Sequence, residues 1–467
     1  MVGVVLLSAA LRGPGLFSRA LNYEEALCWF YARIPLRVQW MRDIRGPLNY
    51  ASLAPLALLS SRPEQVRLLP FAAGVVLPLF PFLVRGVPFE SQVIASVFLS
   101  LCPPLVRYSQ NADGCALGLL LEGMALILAV SYLCFGGAWR AVGYGLLSLL
   151  SPQIHASFGW GLLGRAIVLV AFLRSRRARF LLLSSVPGVA VAGVALLLSK
   201  PPPLEGGLEK ALGAVILVLV EPSTGYVTGL RDFRWAWGLW LSGLVGSCVA
   251  VVGGLRLWGR GLWGRILVST GLFSALIFVL AVGVRGLEPL PRYLLPLLFP
   301  FAICFGAGLE RRKAWALIPV FSAQLAGCVT YLSRPYYGVD WREAATVLKA
   351  NLRPGEVVVL HPPAAGLVLR HYLKGVDLRP KGIHWFTAKG FFVGREGRPY
   401  RPDWRREALS AAREGRAVWV LFWSLNPKGR EPPRRVDSLR LMRKVRVRGY
   451  AESAVIVKYS SAGGRKR

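Results

Sequence analysis

CALGLLLEGMALILAVSYLCF, residues 115–135, is a run of apolar side chains interrupted by one acid, Glu122, and a few small polar groups. A helix that crosses the hydrocarbon core of a bilayer takes about 20 mostly apolar residues, within a range of about 17–25. The stretch therefore reads as a membrane span. Comparable runs lie on both sides of it, at 67–84 and 89–105 before, and at 141–157, 158–173, 180–198, 236–255, 266–284, 293–309 and 314–331 after. Lipid offers no partner to backbone N–H and C=O groups, which excludes open sheets and lipid-facing loops. A polytopic α-helical membrane protein with about 11 transmembrane helices accommodates every run. The eleventh would be 2–11, which is short for a span and lacks the basic n-region of a secretory signal. It reads as a first helix whose cytoplasmic end is cut short, rather than as a cleaved signal.

Composition agrees: 54% of residues are hydrophobic, 17% are charged and the mean hydropathy is +0.47. The net charge of +33 raises the question of nucleic acid, since clustered Lys and Arg attract phosphate. Yet the basic runs 174–179, 256–265 and 311–313 fall between spans, where Lys and Arg mark cytoplasmic loops. The charge reads as loop anchoring, and no nucleic-acid partner is expected. The seven cysteines are scattered, several of them inside apolar runs (Cys134, Cys248, Cys304, Cys328). No CxxC pair occurs, so neither a zinc site nor a disulfide framework is indicated, and the thiols read as small apolar side chains.

With those basic runs in the cytoplasm, the polar segments 12–49, 107–114, 200–235 and 285–292, the turn at His155 and everything after 332 fall on the opposite side. Residues 50–60, short and holding Pro55, read as an interfacial or re-entrant helix. The unusual polar residues thus collect on one face. Beyond 331 the composition changes: a Pro/Gly linker at 334–338 precedes a helical pattern at 341–351. A short buried-strand pattern at 357–360 follows, then the turn His361-Pro362-Pro363, a helix at 367–373 and β-rich runs at 417–422 and 454–457. The expected organisation is a multi-span catalytic domain over 1–331, with a first outer loop at 12–49, carrying a small extracytoplasmic α/β domain over 332–467. The whole is expected as a multi-pass protein of the plasma membrane.

Several loop segments come in a telling order. Glu24-Glu25-Ala26 follows the first hydrophobic segment, then Gly46-Pro47-Leu48-Asn49-Tyr50, then Arg62-Pro63-Glu64-Gln65-Val66-Arg67 at a helix start. Cys102-Pro103-Pro104-Leu105-Val106-Arg107-Tyr108-Ser109-Gln110-Asn111-Ala112-Asp113 ends one helix and opens another, and Asp340-Trp341-Arg342-Glu343-Ala344-Ala345 with Pro354-Gly355 begins the tail. This order resembles the GT-C superfamily of polytopic glycosyltransferases, in the branch of protein mannosyltransferases and the lipid A aminoarabinose transferase. Members carry an Asp-Glu pair in the first outer loop, a His-Pro-Pro-Leu-Tyr-Tyr-like segment, an acid-then-Arg helix start and a Tyr-Ser…Ala-Arg-Pro-Tyr-like stretch. This chain departs from them where Glu24 stands for Asp, Arg45-Gly46 for His-Pro, and Asp113-Gly114-Cys115 for Arg-Pro-Tyr. The last exchange loses a phosphate-binding arginine and gains an acid, as in the oligosaccharyltransferase branch, where outer-loop acids help bind a metal.

The resemblance implies an inverting transfer of a sugar from a polyprenyl (dolichyl or undecaprenyl) phosphate carrier to an acceptor on the outer face. Glu24 and Glu25 are the catalytic candidates, Glu24 as general base or metal-anchoring carboxylate and Glu25 orienting a neighbour. Arg107, Asp113, His155, Arg292 and Tyr293 are the substrate-binding candidates, with Arg292 as phosphate clamp because its planar fork matches phosphate oxygens. Each has a plainer reading beside this one. Glu24 and Glu25 could be solvated loop acids, Asp113 a helix cap and His155 a structural turn residue. Arg107 and Arg292 could snorkel to the interface, with Tyr293 as a belt aromatic. No cofactor is required; a divalent ion, Mg or Mn, on Glu24 and Asp113 is the open alternative. The expected partners are membrane lipid, the lipid-linked sugar donor and a glycan, lipid or protein acceptor. A transporter or lipid flippase is the rival, for which Glu122 is the acid to watch.

Overall fold

The computed structural model describes residues 1–33, 47–60, 62–155, 157–198, 207–224, 236–285, 291–310, 314–333, 339–380, 384–386, 392–394, 399–400, 403–424, 432–436, 439–448 and 453–461. The basic run 311–313, the linker 334–338, Arg45-Gly46 and half of the segment 200–235 lie outside them; the other half, Gly207–Thr224, is a helix where the sequence reading expects an outer loop. By contact the chain divides into two units. The first is Met1–Leu16, Ile44–Leu56 and Gln65–Ser333; the second is Phe17–Asp43, Ala57–Glu64 and Arg334–Arg467. The segment that carries Glu24 and Glu25 therefore groups with the tail, whereas the sequence reading attaches it to the helical body.

In chain order the helices are α1 Val2–Arg12, α2 Tyr23–Tyr31, α3 Pro47–Leu59, α4 Leu68–Val76, α5 Phe89–Leu101, α6 Pro103–Ser109, α7 Cys115–Phe135, α8 Ala138–Ile154, α9 Phe158–Ala171, α10 Arg176–Leu198, α11 Gly207–Thr224, α12 Ala236–Gly259, α13 Leu262–Arg285, α14 Leu295–Gly308 and α15 Ala314–Leu332. The tail adds α16 Trp341–Asn351, α17 Gly366–Tyr372 and α18 Trp404–Arg413. The expected spans all coincide with helices, within a few residues at their ends. Among the described residues four stretches are long and apolar enough to cross a bilayer: Pro63–Leu83, Cys115–Phe135, Leu241–Gly259 and Leu262–Val282. The pair α5 and α6, bent by 58°, makes a fifth if it is one broken span.

That bend follows from sequence. Pro103 and Pro104 carry no N–H, so the carbonyls of Leu99 and Ser100, four residues back, lose their helical donors. The fully buried Arg12 supplies replacements: Nη2 donates to the Leu99 carbonyl at 3.1 Å, Nη1 to the Ser100 carbonyl at 3.0 Å, and Nε to Ser109 Oγ at 3.2 Å. One arginine thus bridges the break and fastens α1 to both halves.

Elsewhere in the body, glycines let helices approach backbone to backbone, as is usual where lipid gives no hydrophobic drive to association. A Cβ on Gly253 of α12 would stand 1.7 Å from the Cys304 carbonyl oxygen of α14, and one on Gly308 of α14 would stand 2.1 Å from that of Val249. The same unit buries Phe80, Phe98, Phe158, Phe299 and Phe305 in one cluster.

The second unit is an α/β domain. Its strands are β1 Val357–His361, β2 Asp377–Arg379, β3 His384–Phe386, β4 Phe392–Gly394, β5 Pro399–Tyr400, β6 Val418–Ser424, β7 Arg435–Val436, β8 Leu439–Arg448 and β9 Ser453–Ser461. The main sheet has the order β2-β1-β6-β9-β8-β7; β1 pairs in parallel with β2 and β6, and the remaining pairs are antiparallel. Alternate residues of β1 and β6 face opposite layers. Val358, Leu360, Trp419 and Leu421 pack with Trp341 and Leu348 of α16 and Val368 and Leu369 of α17. Val357, Val359, Val418 and Val420 pack with Ala408 and Ala411 of α18. The strands expected at 357–360, 417–422 and 454–457 and the helices at 341–351 and 367–373 are present; β8, with its five basic residues, and α18 are additional.

Candidate functional site

In the second unit the acid pair opens α2. Asn22 is the N-cap: Glu25 N donates to its Oδ1 at 2.8 Å, and Glu25 Oε2 accepts from Asn22 N at 3.1 Å. This reciprocal capping box satisfies two end-of-helix donors. Glu25 is therefore buried and committed to the helix start, whereas Glu24, one position earlier, is half-buried. The pair is thus not equivalent, and the more accessible carboxylate is the one the sequence singles out as base.

The helix that carries them is held by the tail. Tyr372 Oη of α17 accepts from Leu21 N at 3.0 Å, and Arg342 Nη1 of α16 donates to the Ser18 carbonyl at 2.9 Å. Tyr23 stacks obliquely on Trp423, ring centroids 5.2 Å apart, and Leu21 and Ala26 join the core of Trp341, Leu369 and Leu421. At the other end of α2, Arg33 donates to the carbonyls of Ala57 at 2.8 Å and Ser60 at 2.7 Å, closing the segment against the end of α3.

In the first unit the five remaining candidates converge. Arg107, Asp113 and Arg292, from α6, from the turn before α7 and from the 3-10 turn Pro291–Leu294, all act electrostatically on the Tyr108 hydroxyl. The Arg107 and Arg292 guanidinium carbons lie 5.2 and 6.0 Å from the ring centroids of Tyr108 and Tyr293. The Tyr293 and His155 rings are 6.5 Å apart, and Tyr293 lies 6.3 Å from Phe278.

His155 is the C-cap of α8 and is buried. Ser157 N donates to its Nδ1 at 3.2 Å, and Ser157 Oγ stands 2.8 Å from the same nitrogen. A backbone donor on Nδ1 assigns the lone pair there, and hence the proton of the neutral ring to Nε2. Asp113 Oδ1 accepts from Cys115 N, the first N–H of α7, at 3.1 Å, from the position before the Gly114 N-cap. Gly114 sits between them at φ 75°, and a Cβ there would stand 2.1 Å from Asn49 Oδ1 of α3. Only a glycine permits that left-handed turn against the Asn49 amide.

Asn49, Tyr108 and Gln110 belong to this neighbourhood without having been assigned a role from sequence. Gln110 Nε2 donates to the carbonyls of Arg12 and Pro14, both at 2.8 Å. All three sit inside the motifs quoted above, which is the signal that could have named them. Arg67, from the acid-then-Arg helix start, is buried and donates to the Leu16 carbonyl at 2.8 Å. In the tail, His361 packs against Trp404 and Phe422.

A divalent ion would need several hard oxygen or nitrogen donors around one point. Among the described residues no group of three or more His, Cys, Asp and Glu is so placed. One carboxylate oxygen of Asp113 accepts from Cys115 N and Glu25 is occupied by its capping box. Among the described residues the donor set does not suit a metal.

What the first unit offers chemically is a pair of arginines with a tyrosine hydroxyl, an imidazole and a buried carboxylate, at one end of apolar helices. Fixed guanidinium groups suit a phosphate.

No family model matches the sequence, and no curated protein matches it. Solved structures do. The chain superposes on ArnT from Cupriavidus metallidurans in the apo state with a TM-score of 0.63 and 11% identity, over 97% of each chain. The same protein bound to undecaprenyl phosphate gives 0.52 and 12%, again over 97% of each chain. An apo oligosaccharyltransferase from Archaeoglobus fulgidus gives 0.51 and 13%, over 90% of this chain and 68% of that one. At such identities the likeness establishes the fold, which is the one that the loop motifs imply.

Proposed function

We propose that this chain is a membrane glycosyltransferase that moves a sugar from a polyprenyl-phosphate carrier to an acceptor on the extracytoplasmic face. The observation that carries the reading is the meeting of Arg107, Arg292, Tyr108, Tyr293, His155 and Asp113, from four separate segments, at one end of the helical body. A fold shared with a structure that holds undecaprenyl phosphate supports the same donor class. So does the membrane setting, since a lipid-borne phosphate stays at the boundary where apolar helices end.

The proposed chemistry is a direct displacement. Glu24 takes the proton of the acceptor hydroxyl, whose oxygen bonds to the anomeric carbon as the bond from that carbon to the phosphate oxygen breaks. The leaving electron pair stays on the phosphate, where Arg292 and Arg107 stabilise the charge, and configuration inverts. Asp113 sets the start of α7 beside them. The acid that a transport mechanism would use, Glu122, is bound to Arg165 in the body.

The test is to incubate the purified protein with a panel of polyprenyl-phosphate sugars and follow donor hydrolysis and transfer. Turnover that falls about a hundredfold or more in Arg292→Ala, with folding intact, is the expected result. A donor panel left unconsumed by folded protein supplied with acceptor, together with substrate flux in vesicles, would replace this reading with transport.

A further inference from the structure

Beneath the cluster of candidate residues lies a buried ion pair that the transfer chemistry does not touch. Glu122 sits on α7 and Arg165 on α9, each seven residues into its helix, about 10 Å from the end at which the candidates gather. Their side chains are 4% and 3% exposed. The contact is two-pronged: Arg165 Nη1 reaches Glu122 Oε1, and Nη2 donates to Oε2 at 3.1 Å. Ser151 Oγ of α8 donates to the same Oε2 at 3.3 Å, one turn before His155. The Arg165 guanidinium carbon lies 5.8 Å from the ring centroid of Tyr144, also on α8.

A fourth helix closes the junction. A Cβ on Gly161 of α9 would stand 2.2 Å from Glu122 Oε1 and 3.0 Å from Pro296 Cβ of α14. The α9 backbone is therefore pressed between the carboxylate and the first turn of α14. Every helix that meets here carries or adjoins a member of the candidate site: α7 follows Asp113, α8 ends on His155, α9 begins just after it, and α14 follows Arg292 and Tyr293.

An ion pair away from water is an expensive way to hold helices together, because desolvation offsets most of the attraction, and apolar side chains of similar size often serve as well or better. What it adds is direction. A bidentate guanidinium–carboxylate contact fixes two helices in rotation and depth, and an ionisable pair within a membrane body is more often tied to function than to stability. We propose that Glu122 and Arg165 are positioning residues, which set the rotation of α7, α8, α9 and α14 so that Asp113, His155, Arg292 and Tyr293 stay in register. The inference rests on the transferase reading for its catalytic consequence, but not for its geometry.

The test uses the full-length protein in detergent with Glu122→Leu and Arg165→Met combined. Three quantities are measured: melting temperature, turnover of a polyprenyl-phosphate sugar, and the ring 13Cε1–1H resonance of His155, identified by its loss in His155→Gln. With the pair replaced by apolar groups, melting is expected to stay within a few degrees. The kcat is expected to fall about tenfold to a hundredfold with little change in KM, because small misplacements are felt in the transition state. The His155 resonance should move or broaden while those of His361 and His371 in the second unit stay in place. If the double variant does not fold, Glu122→Gln, which keeps the shape and can keep the Ser151 contact, takes its place. A wild-type His155 resonance with wild-type kcat would overturn the proposal. If the wild-type protein consumes no donor, the transferase reading falls and the His155 resonance alone decides the positioning claim.

Discussion

Glu24 and Glu25 illustrate how much one side-chain contact can separate adjacent residues. The capping box engages Glu25, and glutamine serves a capping box as glutamate does. Glu25→Gln should therefore leave melting temperature and most turnover unchanged, whereas Glu25→Ala should cost about 1 kcal/mol. Glu24→Gln should leave melting unchanged and reduce turnover about a hundredfold or more. Side-by-side kinetics and thermal melts of the three variants test this, and equal losses in Glu24→Gln and Glu25→Gln would remove the distinction. The sequence showed the acids but not their division of labour, although Asn22-x-x-Glu25 is itself a helix-start signature. The surrounding segment is polar enough to read as loop, which masks that signature.

Glu356, at the foot of β1, makes a second residue-level prediction. Burial pushes its carboxyl upward, but Lys458 Nζ at 2.6 Å, Trp419 Nε1 at 2.7 Å and Arg353 N at 3.1 Å all stabilise the charged form, and the balance falls below the ordinary value of 4.5. A depressed carboxyl contributes stability that is fully present above pH 4.5 and is lost as the pH falls through its lower folded-state value. Melting of the second unit should accordingly drop on acidification below that point, and Glu356→Gln should melt lower at neutral pH with a flatter acid limb. A parallel acid limb in the variant would assign the effect elsewhere.

Among elements, the helices of the body were legible because hydrophobicity is a local property, read within one window. Their breaks were half legible. Pro103-Pro104 announces a bend, but Arg12, which satisfies the freed carbonyls, lies some ninety residues earlier in the chain. No pattern in the sequence links the two. Arg12→Met should leave the Leu99 and Ser100 carbonyls without these donors, at about 1–3 kcal/mol each, which would be read as a lower melting temperature in detergent. Close approach was equally hidden. Gly253→Val places a branched side chain where a single Cβ already meets the Cys304 carbonyl, and should separate α12 from α14, seen as loss of folded monomer in gel filtration. In the tail, β8 alternates Leu and Val with Arg and Lys, which is a strand pattern. Its charge makes it look solvated, and a bulge near Met442 moves Leu439 to one face of the sheet and Val447 to the other.

For the molecule as a whole, charge decides orientation. Lys and Arg mark cytoplasmic loops, so the basic runs at 174–179 and 256–265 would lie in the cytoplasm and residue 467 is expected outside it. Alkaline phosphatase fused after residue 467 should be active outside the cytoplasm, and a fluorescent protein that folds only inside should stay dark there. The opposite pair of signals would move the site to the cytoplasmic leaflet and end the outer-face reading. The architecture of body plus α/β tail was legible from the change in composition near residue 332. The membership of its parts was not, because segment 17–43 is joined to the tail by contacts that span more than three hundred residues.

That membership has a consequence for biosynthesis. Tyr372, Arg342 and Trp423, which grip the segment around α2, leave the ribosome long after it. Leu21, Tyr23 and Ala26 must then wait, unsheltered, through the insertion of nearly the whole helical bundle before their partners exist. A stop codon at 332 should therefore strand the early segment and make it a target for proteolysis, while the tail expressed by itself should expose Trp341 and Trp423 and aggregate. Limited digestion of the shortened chain, with cleavage concentrated between residues 17 and 33, is how that waiting would be seen.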